Sequence, residues 1–243
     1  MLYKDIDLTR RADIRELTEI IDDSCDIRVM RDYLRDLARL NRWFLGYRPT
    51  LKWLEQLNLK QYGETIRILD VGCGYGDTLR QVEDWARKRG IATQLIGLDL
   101  NPDTIAIARD ATPPDSGIRW IASDVFCFRM EKRVHLVINS LFTHHLSDAN
   151  IVRFLRWMEE RAAIGWFIND LSRAPIPYHL YGWFARAVRL HSFVRHDGQV
   201  SFARAFQPQD WRRLCGEAGL ADDKYEIEAH KPARLCVSRS KAR

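Results

Sequence analysis

Residues 66–99 constrain this chain most. An apolar run, IRILDV (66–71), passes into the glycine-rich LDVGCGYGD (69–77); a helical stripe follows over 79–88, and a second apolar run, QLIGLD, closes at 94–99. Two parallel strands need a crossover and a helix supplies it, so this order predicts a parallel β-α-β unit. The alternation continues with a helix from Pro102 to 109, strands at 118–123 and 135–140, a helix at 150–163 and a strand at 165–170. The predicted fold class is α/β, a Rossmann-like doubly wound sheet with right-handed crossovers. A helix over 208–219, with Pro208 near its start and Gly219 at its end, leads to strands at 224–230 and 233–238. The short turn between them makes an antiparallel hairpin.

Two regions lie outside this alternation. Upstream, Leu17, Ile20, Ile21, Val29, Met30, Tyr33, Leu34, Leu37 and Leu40 recur at three- and four-residue spacing, which predicts two or three helices, with one more over 50–59. The chain therefore divides into an N-terminal helical cap (1–60) and a main domain (61–243). Within the latter, an insertion at 172–206 is rich in aromatic, Arg and His residues. Connections of that length inside a compact domain usually carry function, and this one reads as a helical cap over a ligand pocket.

Gly72, Gly74 and Gly76 give the spacing G-x-G-x-G, which permits a tight turn and close approach of a ligand to the backbone. The dinucleotide fingerprint G-x-G-x-x-G would put glycine at 77, where the chain has Asp77. An aspartate there opposes a pyrophosphate but suits a cationic ligand. Asp99 ends the second strand, where a carboxylate can accept from two ribose hydroxyls, and Asp124 follows the third, placed to accept from an adenine amino group beside the apolar Val125. Asp70 joins them at the end of the first strand. Cys73 occupies the turn because it is small, and no redox role is assigned to it.

Over residues 60–240 these motifs resemble the class I S-adenosylmethionine-dependent methyltransferases. LDVGCGYGD matches the family's methionine-binding turn, GLDLNP its ribose site, ASDVF its adenine site and INSLFTHHL the segment after strand four. The resemblance implies S-adenosylmethionine as cofactor and S-adenosylhomocysteine as product, and a seven-stranded sheet with an antiparallel final strand. It adds Leu100 and Ser140 to the cofactor contacts, together with Tyr47 and Arg48 from a lid of N-terminal helices. More narrowly, LFTHHL, the NDL that ends strand five and the aromatic insertion look like bacterial methyltransferases of phenols, quinols and polyketide-derived aromatics. Asn139, Ser140, Leu141 and Phe142 stand where amino-directed nucleic-acid methyltransferases carry an NPPY-like tetrapeptide.

Methyl transfer from a sulfonium is an in-line displacement whose donor is already activated, so alignment and exclusion of water dominate. A phenol-like acceptor benefits from a neutral histidine base. His144 and His145, after strand four at the carboxyl edge of the sheet, are the first candidates, and His196 in the polar FVRHDGQ run is the second. Asp170, at the end of strand five, can orient a histidine or the acceptor. Each also has a plain structural reading, as cap, core or turn residue. The expected reaction is methylation of a small aromatic hydroxyl, O-methylation favoured over C-methylation. The alternatives are an RNA or protein methyltransferase and a noncatalytic cofactor-fold module.

Composition narrows the partners. Hydrophobic residues make up 46% and charged residues 29%, as in an ordinary core-forming chain, and the net charge of +5 comes without any run of five basic residues, which makes nucleic acid an unlikely partner. The five cysteines are scattered with no Cys/His cluster at zinc-ligand spacing, so no metal site is assigned and a reduced, cytoplasmic protein is expected. No apolar stretch of about 18 residues predicts a membrane span. The aromatic insertion leaves peripheral membrane contact and a lipid-like acceptor open.

Overall fold

The computed structural model describes residues 6–20, 26–130, 133–187 and 192–241. The apolar runs of the sequence become β1 (Ile66–Val71), β2 (Thr93–Asp99), β3 (Arg119–Ala122), β4 (Leu136–Ser140) and β5 (Gly165–Leu171), all parallel. β6 (Glu226–His230) and β7 (Arg234–Ser240) pair antiparallel, and β7 pairs antiparallel with β5. The seven-stranded order is β3-β2-β1-β4-β5-β7-β6. Strand order reverses between β1 and β4, and in open α/β sheets that point, at the carboxyl ends, is where ligands bind. Asp70 of β1, Asp99 of β2, Ser140 of β4 and Asp170 of β5 all end there.

Helices α1 (Ile27–Trp43), α2 (Arg48–Gln56), α3 (Asp77–Arg89), α4 (Pro102–Asp110), α5 (Asp148–Arg161), α6 (Pro175–Ala187), α7 (Ser192–Arg204) and α8 (Pro208–Glu217) complete the described chain. Their ends follow local chemistry. Ser147 accepts from the amide of Asn150 at the start of α5, Asn101 from that of Asp103 before Pro102 at the start of α4, and Gly90 closes α3 in the left-handed region. Because the central strands are covered on both faces, two apolar clusters form. Phe154, Leu155, Met158 and Trp166 pack on one, and Leu79, Val82, Trp85 and Trp120 on the other. Trp120, Trp157 and Trp166 are all core residues.

Phe154 is fully buried, meets Phe142 edge-on at 5.4 Å and stacks on Trp157 at 6.0 Å. Phe154→Ala should therefore lower unfolding free energy by about 3–5 kcal/mol. Urea denaturation would show this as a lower midpoint with an unchanged slope.

Two expectations need correction. The apolar spacing at Leu17 and Ile20 predicts a helix, but residues 6–20 contain no α-helix; Ile21 lies outside the described residues. Their backbone groups are instead held across the chain. The Ala12 amide donates to Ala203 O at 3.0 Å, the Ile20 amide to Asp197 Oδ1 at 2.9 Å, and Arg204 donates to the carbonyls of Leu17 and Ile14. The segment is a strap laid over α7. The polar run around His196, read as a turn, is helical in α7, because its polar groups face that strap: Asp197 holds Ile20, and Ser201 donates to Glu19 at 2.9 Å. Gly198 fits this helix against the ring of Tyr181, which a Cβ would meet at 2.2 Å. None of the described helices is long and apolar enough to cross a membrane.

Candidate active site

The turn after β1 is held open by its glycines. Gly72 has φ +66°, and a Cβ there would lie 2.2 Å from the Phe142 ring; at Gly76, φ +75°, a Cβ would meet Trp120 at 2.3 Å. Neither position tolerates a side chain. The amides of Gly72 and Cys73 donate to Leu98 O at 2.8 and 3.1 Å, and the Gly74 amide donates to Asp99 Oδ2 at 3.1 Å. The other oxygen of Asp99 accepts from Asn101 at 3.1 Å. Each carboxylate oxygen retains a lone pair for a ligand. Burial pushes the Asp99 carboxyl up, and hydrogen bonds from the Asn101 and Gly74 amides offset part of that.

Asp70 is buried, and its Oδ1 has no hydrogen-bond partner among the described residues. Burial, with Asp77 and Asp99 nearby, pushes its carboxyl well above the usual range. A cationic group in the adjoining space would relieve both conditions. Asp77 accepts from Tyr47 Oη at 2.6 Å and from Asn41 Nδ2 at 3.3 Å. Tyr47 thus supports Asp77 from behind; neither it nor Arg48, exposed at the start of α2, lines the cavity, which corrects the contact expected of both. Asp124 both lines the cavity and accepts from the Phe126 amide at 2.8 Å. Burial pushes the Cys73 thiol up, with Asp99 and Asp70 adding to the effect.

Asp70, Gly72, Cys73, Gly74, Asp77, Asp99 and Asp124 line a cavity of about 1030 Å³, together with Leu100, Val125 and Ser140. The same lining holds a histidine corner, His144 and His145. Thr143–His145 make one 3-10 turn after β4, and Asp170 of β5 gathers that turn. One carboxylate oxygen accepts from Thr143 Oγ1 at 2.5 Å and from the His144 amide at 3.1 Å; the other contacts His144 Nδ1 at 2.7 Å and accepts from the Leu171 amide at 2.7 Å. Burial resists ionisation of Asp170, but the His144 ring and these donors outweigh it and hold the carboxyl far below the usual range. Asp170 Oδ1 and His144 Nδ1 thus face each other at hydrogen-bond distance.

Glu19, which sequence reasoning missed, completes the corner. It is buried, with Oε1 3.6 Å from His144 Nε2 and Oε2 3.9 Å from His145 Nε2. Ser201 Oγ and Arg204 Nη1 lie 2.9 and 3.4 Å from Oε1. The two imidazoles lie 4.2 Å apart between centroids. A lone glutamate in a charged stretch carries no local signal when its partners lie more than a hundred residues away. His196, on α7 with Nδ1 2.8 Å from Asp197 Oδ1, does not line the cavity, so the structure separates it from His144 and His145. Its neighbour Asp197 engages it instead.

Residues 68–163 match a family described as the methyltransferase domain. Within those residues the chain carries a methyltransferase domain. Its cofactor is S-adenosylmethionine, and the pocket's donors fit that molecule: the unpaired Asp70 oxygen suits a cation, and the paired oxygens of Asp99 suit a ribose. Solved structures agree on the fold of this methyltransferase. The plantazolicin methyltransferase BpumL, in complex with a pentazolic desmethylPZN analog and SAH, is 14% identical with a TM-score of 0.64, over 89% of this chain and 97% of that one. Human N-acetylserotonin methyltransferase in complex with SAM is 14% identical with a TM-score of 0.65, over 96% and 61%. The citrinin polyketide synthase CMeT domain is 14% identical with a TM-score of 0.52, over 74% and 47%. No curated protein matches the sequence.

Proposed function

We propose that this methyltransferase methylates the oxygen of a small, aromatic hydroxyl acceptor bound between the glycine turn and the histidine corner. The observation that carries this reading is one continuous cavity lined by Asp99 and by His144 and His145, with Phe142, Tyr181, Trp183 and Phe184 also in its wall. When bound, S-adenosylmethionine supplies a methyl carbon already activated by its sulfonium. The chain's own residues do the rest. Asp99 accepts from the ribose hydroxyls, Asp124 and Val125 hold the adenine, and Asp70 and Asp77 face the cationic end. The flat aromatic walls orient the acceptor and exclude water.

The acceptor's hydroxyl proton passes to the histidine corner. Asp170 fixes the His144 tautomer, and His145, whose side chain is 26% exposed, is the ring an acceptor reaches. In this reading α1 and α2, within residues 1–60, serve as a lid, and the insertion 172–206, forming α6 and α7, caps the acceptor. The names of the similar structures, for plantazolicin and for N-acetylserotonin, support a small-molecule or peptide-derived acceptor.

A specific observation favours a lipid-like form of that acceptor. Ile176, Leu180 and Trp183 on α6 and Trp43, Phe44 and Leu45 at the C-terminal end of α1 are large apolar side chains exposed to water. Phe184 joins the two sets, 5.0 Å from Phe44 and 6.2 Å from Trp43 between ring centroids. An apolar rim at the mouth of a cavity fits a substrate tail or a membrane surface better than water.

The test is methyl-labelled S-adenosylmethionine incubated with purified protein and a cell extract fractionated into organic-soluble, RNA and protein pools. Label in the organic pool, as a methyl ether, is expected. Label confined to RNA or protein overturns the reading.

A further inference from the structure

His144 lies between two buried carboxyl groups: its Nδ1 is 2.7 Å from Asp170 Oδ1, and its Nε2 is 3.6 Å from Glu19 Oε1, a separation too long for a direct hydrogen bond. His145 presents Nε2 to the other oxygen of the same carboxylate at 3.9 Å. One ligand atom from each of the three residues lies within 4.8 Å of the others.

We propose that Glu19, His144 and His145 form a site for a divalent transition-metal cation that binds the acceptor's hydroxyl oxygen. This rests on the methyl-transfer reading above and deepens it by naming what activates the hydroxyl; the bare His145 acts as base only when the cation is absent. Bonds of about 2.0–2.2 Å from nitrogen and oxygen donors place neighbouring ligand atoms roughly 3.3 Å apart, so the observed spacings close by small side-chain rotations. Two imidazoles and one carboxylate on one side, with the cavity on the other, suit zinc, iron, manganese or cobalt better than magnesium or calcium. The supporting contacts are those metal ligands need. Asp170, held by Thr143 and Leu171, fixes His144 through its far nitrogen, and Ser201 holds Glu19. Arg204 Nη1, 3.4 Å from Glu19 Oε1, opposes the cation and limits its affinity.

With the cation bound both rings are ligands, so the acceptor's O–H bond breaks and its proton leaves to water at the cavity mouth in place of the transfer to His145. The oxygen's electron pair forms the O–CH3 bond, and the C–S pair returns to sulfur. No oxidant or reductant is consumed.

The test uses the full chain stripped with EDTA, dialysed, and titrated with Co²⁺ while visible absorption is recorded. One equivalent is expected to give the d–d bands of a nitrogen- and oxygen-ligated site. Glu19→Gln and His145→Asn should each weaken Co²⁺ binding at least about 10-fold, while both keep the circular-dichroism spectrum and S-adenosylhomocysteine affinity of the parent. His145 is partly exposed, so its variant reports even where Glu19→Gln disturbs the strap. Labelled methyl transfer to 4-alkylphenols should fall about 10-fold or more on chelation and return with Zn²⁺, Mn²⁺ or Co²⁺. No Co²⁺ binding, or equal binding by parent and variants, overturns the site. Label in phenols without Co²⁺ binding leaves the methyl-transfer reading intact, whereas Co²⁺ binding through these residues with no label in any organic acceptor refutes that reading and keeps the site.

Discussion

Replacing Asp99 by alanine is expected to weaken S-adenosylhomocysteine binding by on the order of 10²–10⁴-fold, the worth of two charge-assisted hydrogen bonds at about 1.5–3 kcal/mol each. The carboxylate has two duties. It lines the cavity, where the proposed function makes it the ribose acceptor, and it also accepts from the Gly74 and Asn101 amides, which fix the shape of the glycine turn. Asp99→Asn keeps the size of the side chain and one acceptor oxygen, so its loss should be nearer 10-fold. Isothermal calorimetry on both variants separates the duties. An Asp99→Ala affinity within threefold of the parent would place the ribose elsewhere.

The second large effect falls on turnover. The double variant His144→Ala/His145→Ala should lower methyl transfer by about 10²–10⁴-fold, the range for losing a positioned proton acceptor, and should leave S-adenosylhomocysteine affinity unchanged. His196→Ala is the matched control. Its ring lies on α7 outside the cavity lining, so turnover should stay at the parent level. Initial rates with labelled cofactor and a phenolic acceptor give the comparison. Equal losses in the double variant and in His196→Ala would remove the histidine corner from the chemistry.

Much of the scaffold was legible in the sequence because its signals are local. A run such as IRILDV is buried on both faces, the glycines of LDVGCGYGD meet Phe142 and Trp120 at distances no side chain allows, and the apolar run that becomes β7 closes the sheet antiparallel to β5. The proposed cofactor residues share that locality, since Asp70, Asp99 and Asp124 each stand at or after a strand end and all line the cavity. The acceptor half does not. Glu19 reaches His144 only because residues 6–20 lie across α7, held by Arg204, Asp197 and the Ala203 carbonyl. Such contacts leave no periodicity in the sequence. The same pairing explains why the polar run around His196, which looks like a turn in isolation, is helical. Tyr47 was drawn to the cofactor by its place in the cap, yet its hydroxyl supports Asp77 from outside the cavity.

The most direct measurement is a crystal structure with S-adenosylhomocysteine and a phenolic acceptor bound together. The account predicts the ribose hydroxyls on Asp99, the sulfur over the turn at Gly72 and Gly74, and the acceptor oxygen between that sulfur and the Nε2 atoms of His144 and His145. A phenol whose oxygen points away from those rings, toward the Trp183 rim, would contradict it.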